Sequence, residues 1–278
     1  MRNEAGKGRR LSKVLTGVSA ANTRPQIGIV PATFDLIDDY AVAVEHAGGE
    51  PVVIRRNKSG HRQLLEMDAL LITSVGVLSG YDLPERFWTD APEDDYWWEG
   101  NDPEGYRFEQ CEWLWDVVRW AWKRKVPTLG AGLGAQLIAI EAGASMERHV
   151  AGHEREHPYM PEGGVSQRLR IEPGSWLDAV RLTPPDPGEM VAPGSLDSDP
   201  EIKCSHHQAI KLPSRPGRPN KGTLQVVAWT EDDMPHAWAR CDGQGVPRQF
   251  GTLWEPQHEE DAGLGAGLFT WFIRQLGR

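Results

Sequence analysis

The chain has 278 residues, of which 25% are charged and 39% are apolar, as is usual for a globular protein that folds around one large core. Its formal net charge of −10 argues against nucleic acid as a partner, because nucleic-acid-binding faces are basic. No apolar run approaches the roughly 20 residues that cross a bilayer, so no membrane contact is expected.

The first 24 residues are rich in Lys and Arg but lack the apolar segment of a secretory signal. We interpret residues 1–24 as a flexible basic tail, or as an artefact of the vector or start site, and residues 25–278 as a single domain. The three cysteines give no disulfide framework, which favours a reducing cytoplasm.

Apolar strands alternate with helical patterns along the first half of the chain. Strands are predicted at residues 27–30, 51–54, 69–73 and 127–129, and helices at residues 35–46, 108–123 and 134–141. Strands joined by helices imply a parallel sheet that is covered by helices on both faces.

The second half contains more strands than helices. Strands are predicted at residues 167–171, 224–230, 237–241 and 249–254, surface loops at residues 184–200 and 213–222, and a closing helix at residues 263–276. The predicted fold class is therefore α/β, with a mostly parallel central sheet and a smaller antiparallel group of strands.

The turn around Gly132 is the most informative segment of the sequence. Residues 126–136 (VPTLGAGLGAQ) are typical of a short strand, a glycine-rich turn and the start of a helix. Such a turn lifts its central residue toward the helix N-terminus, where hydrolases of this architecture place a nucleophile. Gly132 has no side chain and therefore cannot form a covalent intermediate.

This turn resembles the nucleophile elbow, Gly-x-Cys-x-Gly-x-Gln, of the class I glutamine amidotransferase-like superfamily, and of the gamma-glutamyl-gamma-aminobutyrate hydrolase family in particular. Further segments resemble the same family: residues 25–29 its first strand, residues 40–53 its first helix and second strand, residues 204–210 (CSHHQAI) its Ser-x-His-His-Gln-Ala segment, and residues 251–257 (GTLWEPQ) its Gly-x-Gln-Trp-His-Pro-Glu segment. The resemblance implies a flavodoxin-like fold for residues 25–278.

The resemblance also implies that the family's catalytic residues are replaced. Its catalytic Cys falls on Gly132, its catalytic His on Glu255 and its acidic third member on Gln257. Its oxyanion-hole Pro-Gly-Gly falls on residues 73–75, and an Arg-Asp pair falls on residues 105–106. Because these changes strip one site while the scaffold stays recognisable, we interpret them as replacement of the old chemistry.

Glu255 is the leading candidate for a catalytic acid or base, since it takes the position of the family's general base beside Trp254. Gln257 is expected to hold Glu255 or a ligand by hydrogen bonds. The alternative for Glu255 is a surface or salt-bridged glutamate in an inactive site, and the alternative for Gln257 is an inert residue without a role.

Other candidates line the same expected site. His207 is predicted to be catalytic, and His206 and the turn residues Gly132 and Leu133 to bind substrate, although a structural role for the two histidines is the alternative. The Ser74 hydroxyl is expected to contact a ligand, whereas Val75 would crowd the old anion site.

Residues 85–104 mix acidic and aromatic side chains, among them Trp97 and Trp98, and Tyr106 follows them. Carboxylates and aromatic faces suit an amine-bearing or aromatic small molecule, so these three side chains are predicted to bind substrate under a lid. The alternative is an acidic surface loop whose rings pack on the Trp-rich helix at residues 108–123.

Three functions remain open from the sequence. The first is a repurposed enzyme in specialised biosynthesis that uses Glu255 without a covalent nucleophile. The second is an inactive binding or regulatory subunit that forms a homodimer or binds a protein partner through the Trp-rich helix. The third is an amidase that uses Cys204 or Ser205 as the nucleophile instead.

No cofactor is expected. No metal site is expected either, because Gly152 and Pro158 disfavour a helix that would align His149, His153 and His157.

Overall fold

The fold is built on one eight-stranded sheet with two small sheets beside it. The computed structural model describes residues 24–32, 37–73, 106–147, 150, 165–183, 199–204, 206, 208–212, 223–257 and 264–277, without the side chains of residues 106–110 and 165. The strands of the large sheet are β1 (Gln26–Val30), β2 (Glu50–Val53), β3 (Ala69–Ile72), β4 (Thr128–Ala131), β7 (Arg170–Ile171), β10 (Thr223–Trp229), β11 (Pro235–Cys241) and β12 (Pro247–Thr252). Their order across the sheet is β2-β1-β3-β4-β12-β11-β10-β7.

The large sheet changes from parallel to antiparallel at β12. β2, β1, β3, β4 and β12 pair in parallel, and β12, β11, β10 and β7 pair antiparallel. The small sheets pair β5 (Ser145–Glu147) with β9 (Ala209–Lys211), and β6 (Val165–Arg168) with β8 (Glu201–Cys204), both antiparallel. The predicted fold class, including its smaller antiparallel group, is confirmed.

Helices cover both faces of the large sheet. They are α1 (Ile37–His46), α2 (Lys58–Gln63) with a 3-10 turn at Leu64–Glu66, α3 (Tyr106–Arg124), α4 (Leu133–Ala142), α5 (Trp176–Arg181) and α6 (Leu264–Leu276). The apolar residues of α3 and α4 belong to the core on one face, and those of α1, α5 and α6 to the core on the other. Tyr40 and Phe269, for example, meet edge to face with ring centroids 6.3 Å apart.

Two kinds of feature differ from the sequence prediction. The single strand predicted at residues 167–171 is wrong, because Leu169 separates β6 from β7 and the two belong to different sheets. The helices α2 and α5 and the strands β5, β8 and β9 were not predicted. Elements this short show too little of a period, and unlike β3 (ALLI) they form no continuous apolar run. The loops predicted at residues 184–200 and 213–222 lie almost wholly outside the described residues.

The turn that joins β11 to β12 is held by Asp242, whose Oδ1 accepts hydrogen bonds from the backbone N–H groups of Val246 (3.0 Å) and Gln244 (2.9 Å). These backbone bonds, with a smaller contribution from Arg248, lower the pKa of the Asp242 carboxyl below its usual value. The turn fixes the register of the hairpin, in which Ala237 lies opposite Thr252. This register places the start of β11 beside the end of β12.

Among the described residues, no helix combines the length and apolar character needed to cross a bilayer.

Candidate functional site

The turn after β4 has the backbone conformation expected of an elbow. Gly132 has φ 47° and ψ −110°, outside the regions that residues with a side chain ordinarily occupy. Its N–H donates to Thr252 O at 2.8 Å, and its carbonyl accepts from Gln136 N at 3.0 Å at the start of α4. Gly132 therefore lies between two strand ends and a helix N-terminus.

A second glycine lets α4 start directly against the neighbouring strand. A Cβ added at Gly134 would overlap the carbonyl oxygen of Ile72, the last residue of β3. The absence of a side chain at Gly134 thus sets how closely the helix N-terminus approaches the carboxyl ends of β3 and β4. Loops at this edge line the ligand site in open α/β sheets.

The segment that follows β12 brings two polar side chains together. Glu255 and Gln257 are both partly buried, and Gln257 Nε2 donates a hydrogen bond to Glu255 Oε2 at 3.1 Å. Trp254, which precedes them, is buried at 1% exposure. The start of α6 packs on this segment so closely that a Cβ at Gly265 would overlap Pro256 O.

Backbone hydrogen bonds place these segments at one edge of the sheet. Gly132 is bonded to Thr252, and the N–H of the next residue, Leu253, donates to His236 O at 2.8 Å. The elbow, the start of the segment that carries Glu255, and the first residues of β11 are therefore neighbours.

His236 belongs to a cluster that the sequence did not predict. Its Nε2 lies 3.2 Å from Cys204 Sγ and 3.1 Å from His206 Nε2. Cys204 and His236 are fully buried, whereas His206 is partly buried. The three side chains come from the end of β8, the residues after it, and β11, so only the folded sheet edge brings them together.

The remaining predicted site residues have different positions. Leu133 is buried as the first residue of α4. Tyr106 begins α3, but its side chain is outside the described part of the chain. Also outside it lie Ser74, Val75, Trp97, Trp98, Ser205 and His207, together with the histidines at positions 149, 153 and 157.

The Trp-rich helix directs its rings mainly inward. Trp113 and Trp115 on α3 are 6% and 9% exposed, and Trp120 and Trp122 are partly buried. Trp115 Nε1 donates to Glu141 Oε2 at 2.9 Å, which ties α3 to α4. None of these four side chains is fully exposed, and dimer or partner binding through α3 stays a prediction.

Comparison with known families agrees with this geometry. Residues 15–246 match the model of the Peptidase C26 family, a span that includes β4, the Gly132 turn, the Cys204 segment and His236 and ends before β12. The chain belongs to the peptidase C26 family. Family membership covers most of the scaffold, whereas Glu255 and Gln257 lie beyond the matched residues.

Individual relatives of this C26 family member are distant. A Mycobacterium tuberculosis protein named as a glutamine amidotransferase is 24% identical over 207 residues. That match takes in 72% of this chain but only 58% of the relative, so the chain spans little more than half of that protein's length.

Two solved structures share the fold. One, from Thermoplasma acidophilum, is described as part of a GMP synthase; its TM-score is 0.57 at 16% identity, with 91% of this chain and 94% of that chain covered. The other is described as a glutamine amidotransferase from Thermotoga maritima, with TM-score 0.56, 12% identity, and 92% and 100% coverage. At these identities the likeness extends to the fold alone.

Proposed function

We propose that this C26 protein is an enzyme that keeps the amidotransferase-like elbow but acts without a thiol nucleophile. Glu255 would serve as the acid or base for a small amine-bearing or aromatic substrate at the carboxyl edge of the sheet. Reactions that need no acyl-enzyme, such as elimination, isomerisation, cyclisation, condensation or direct attack by water, fit this proposal. Specialised biosynthesis would be its setting.

The observation that carries the proposal is the conformation of Gly132. An elbow backbone with φ 47° costs little only for glycine, so the turn keeps a geometry suited to a nucleophile at a residue that has none. A substrate oxygen or carboxylate at the N-terminus of α4 would be favoured by the helix dipole. This supports use of the turn for binding rather than for covalent chemistry.

The hydrogen bond from Gln257 supports the role that we propose for Glu255. The hydrogen bond from Gln257 Nε2 fixes one carboxylate oxygen of Glu255 at 3.1 Å, which orients the second oxygen. A carboxylate held in this way can transfer a proton to or from a substrate that lies within hydrogen-bond reach. In the proposed mechanism Glu255 transfers the proton and Gln257 orients Glu255.

Glu255→Gln tests the proposal, since the amide keeps the shape of the side chain but cannot transfer a proton. A metabolite extract of the native host is incubated with the protein, and the compounds consumed and formed are followed by mass spectrometry. We expect Glu255→Gln to slow the conversion by about 100-fold or more, within the range that general acid–base catalysis supplies. Glu66→Gln, at an exposed glutamate of the 3-10 turn, is the matched control and should convert at the wild-type rate.

Two results would count against the proposal. Equal turnover by the wild type and Glu255→Gln would remove Glu255 from the chemistry. If the wild type converts nothing but retains a small molecule or a protein partner, and Glu255→Gln retains it equally, the protein is the inactive binding subunit instead.

A further inference from the structure

We propose that Cys204, His206 and His236 form a binding site for one thiophilic divalent metal ion, with Zn²⁺ as the best match. The site lies at the same sheet edge as Gly132 but does not depend on the chemistry proposed for Glu255. It departs from the expectation, drawn from the sequence, that the protein has no metal site.

The Nδ1 atoms of both histidines face backbone carbonyls. His206 Nδ1 lies 3.0 Å from Gln208 O, and His236 Nδ1 lies 3.2 Å from Met234 O. A carbonyl oxygen only accepts hydrogen bonds, so each Nδ1 carries the proton and donates it. In the neutral imidazole, each Nε2 then carries a bare lone pair.

The two Nε2 atoms lie close to each other. They are 3.1 Å apart, and His236 Nε2 also lies 3.2 Å from Cys204 Sγ. In the metal-free cluster the Cys204 thiol can donate to His236 Nε2, and a proton or a metal ion between the two Nε2 atoms would offset the repulsion of their lone pairs. Metal-ligating histidines characteristically donate the other ring N–H to a carbonyl or carboxylate, which is the arrangement of both rings in this cluster.

Two of the three separations among the ligand atoms fit a tetrahedral ion. Zinc–sulfur and zinc–nitrogen bonds of about 2.3 and 2.0–2.1 Å at tetrahedral angles separate sulfur from nitrogen by about 3.5 Å and two nitrogens by about 3.3 Å. The observed separations of 3.2 and 3.1 Å are within a few tenths of an ångström of these values. All three ligand atoms lie within 4.8 Å of one another.

The ligand set favours a thiophilic metal ion. A thiol and two imidazoles prefer Zn²⁺ to hard ions such as Mg²⁺ or Ca²⁺. Binding would release the Cys204 proton to solvent, and the thiolate would offset part of the ion's charge inside the protein. The three side chains would fill three of four tetrahedral positions, which is the ligand number of zinc sites that keep a position for water.

The test measures metal binding directly. The full-length protein is purified, dialysed against chelator, reloaded with Zn²⁺ and analysed for bound metal. We expect about one Zn²⁺ per chain. Cys204→Ala and His206→Gln should each weaken Zn²⁺ binding by about 100-fold or more. Loss of a residue that only hydrogen-bonds to a ligand already weakens binding by about 10- to 100-fold, and loss of a ligand itself should cost at least as much. Cys241→Ala removes another buried cysteine, at the far end of β11, and should bind like the wild type.

Replacing zinc with Co²⁺ gives a second readout that requires no variant of the buried cysteine. Tetrahedral thiolate coordination should produce a thiolate-to-cobalt charge-transfer band and intense visible d–d bands in the wild type, and His206→Gln should lose them. If the wild type retains no Zn²⁺, or if Zn²⁺ binds equally well to Cys204→Ala and His206→Gln, the proposal is overturned and a shared proton accounts for the cluster.

Discussion

Replacement of Gly134 by alanine should lower the free energy of unfolding by about 3 kcal/mol or more, at the upper end of what overpacking costs. The added methyl group would overlap the carbonyl oxygen of Ile72, which is backbone and cannot turn away as a flexible side chain could. Relief requires a shift of α4, which starts at the elbow, or of β3, which lies beside it. Urea unfolding at neutral pH measures the effect, and failure to fold would be its extreme form.

Gly143→Ala is the matched control at the other end of α4. Gly143 ends the helix with φ 105°, and a Cβ there would meet no atom within 4 Å. Gly143→Ala should therefore lower the free energy of unfolding by about 1 kcal/mol, because the only penalty is a side chain on a residue with left-handed backbone conformation. A Gly134→Ala protein no less stable than Gly143→Ala would show that the close approach of α4 to β3 is not required.

Glu141→Ala should lower the free energy of unfolding by about 3 kcal/mol, because it leaves Arg240 as a buried cation without the carboxylate that compensates it. Arg240 is 1% exposed, and its guanidinium carbon lies 3.8 Å from the centre of the Trp122 ring. Its Nη1 donates to Gln249 Oε1 at 3.1 Å, and its Nη2 lies 3.9 Å from Glu141 Oε1. Burial lowers the pKa of Arg240 to about 10, with the charge of Glu141 opposing the shift, so the guanidinium stays charged at neutral pH.

Replacing Arg240 instead of Glu141 should lower the free energy of unfolding by less. In Arg240→Met the buried charge itself is removed, and Glu141 keeps a hydrogen bond from Trp115 Nε1 and an ion pair with Arg119 Nε, both at 2.9 Å. The expected loss is about 1 kcal/mol, because an apolar side chain of similar volume replaces a desolvated cation. Urea unfolding at neutral pH compares the two variants, and an Arg240→Met protein less stable than Glu141→Ala would contradict this order.

The elbow could be predicted from the sequence because its signal is local. A short apolar strand, closely spaced glycines and an apolar helix follow one another within residues 126–142, and the structure places Gly132 in the strained turn between them. The segment around Glu255 was located by its resemblance to a family motif, and the hydrogen bond from Gln257 follows from a spacing of two residues. Each inference needed only neighbours in the chain.

The metal-ligating cluster could not be predicted in this way. Cys204 and His236 are 32 residues apart, and they meet because β8 pairs with β6 while β11 pairs with β12. Nothing in the sequence around His236 marks it as a ligand, since it stands in an ordinary strand pattern. Arg240 was missed for a similar reason: its burial depends on α3 and α4 covering that face of the sheet.

The most direct test of catalysis without a thiol nucleophile is a hydrolysis assay on the wild type and Gly132→Cys, with glutamine and gamma-glutamyl amides as substrates and intact mass as a readout for covalent adducts. We expect no hydrolysis and no acyl adduct in either protein. The wild type has no nucleophile at Gly132, and in Gly132→Cys the new thiol would lack an imidazole to activate it, since Glu255 stands in that position. Robust hydrolysis by Gly132→Cys would show that the role given to Glu255 is wrong. Hydrolysis by the wild type with an adduct on Cys204 would contradict the account as a whole.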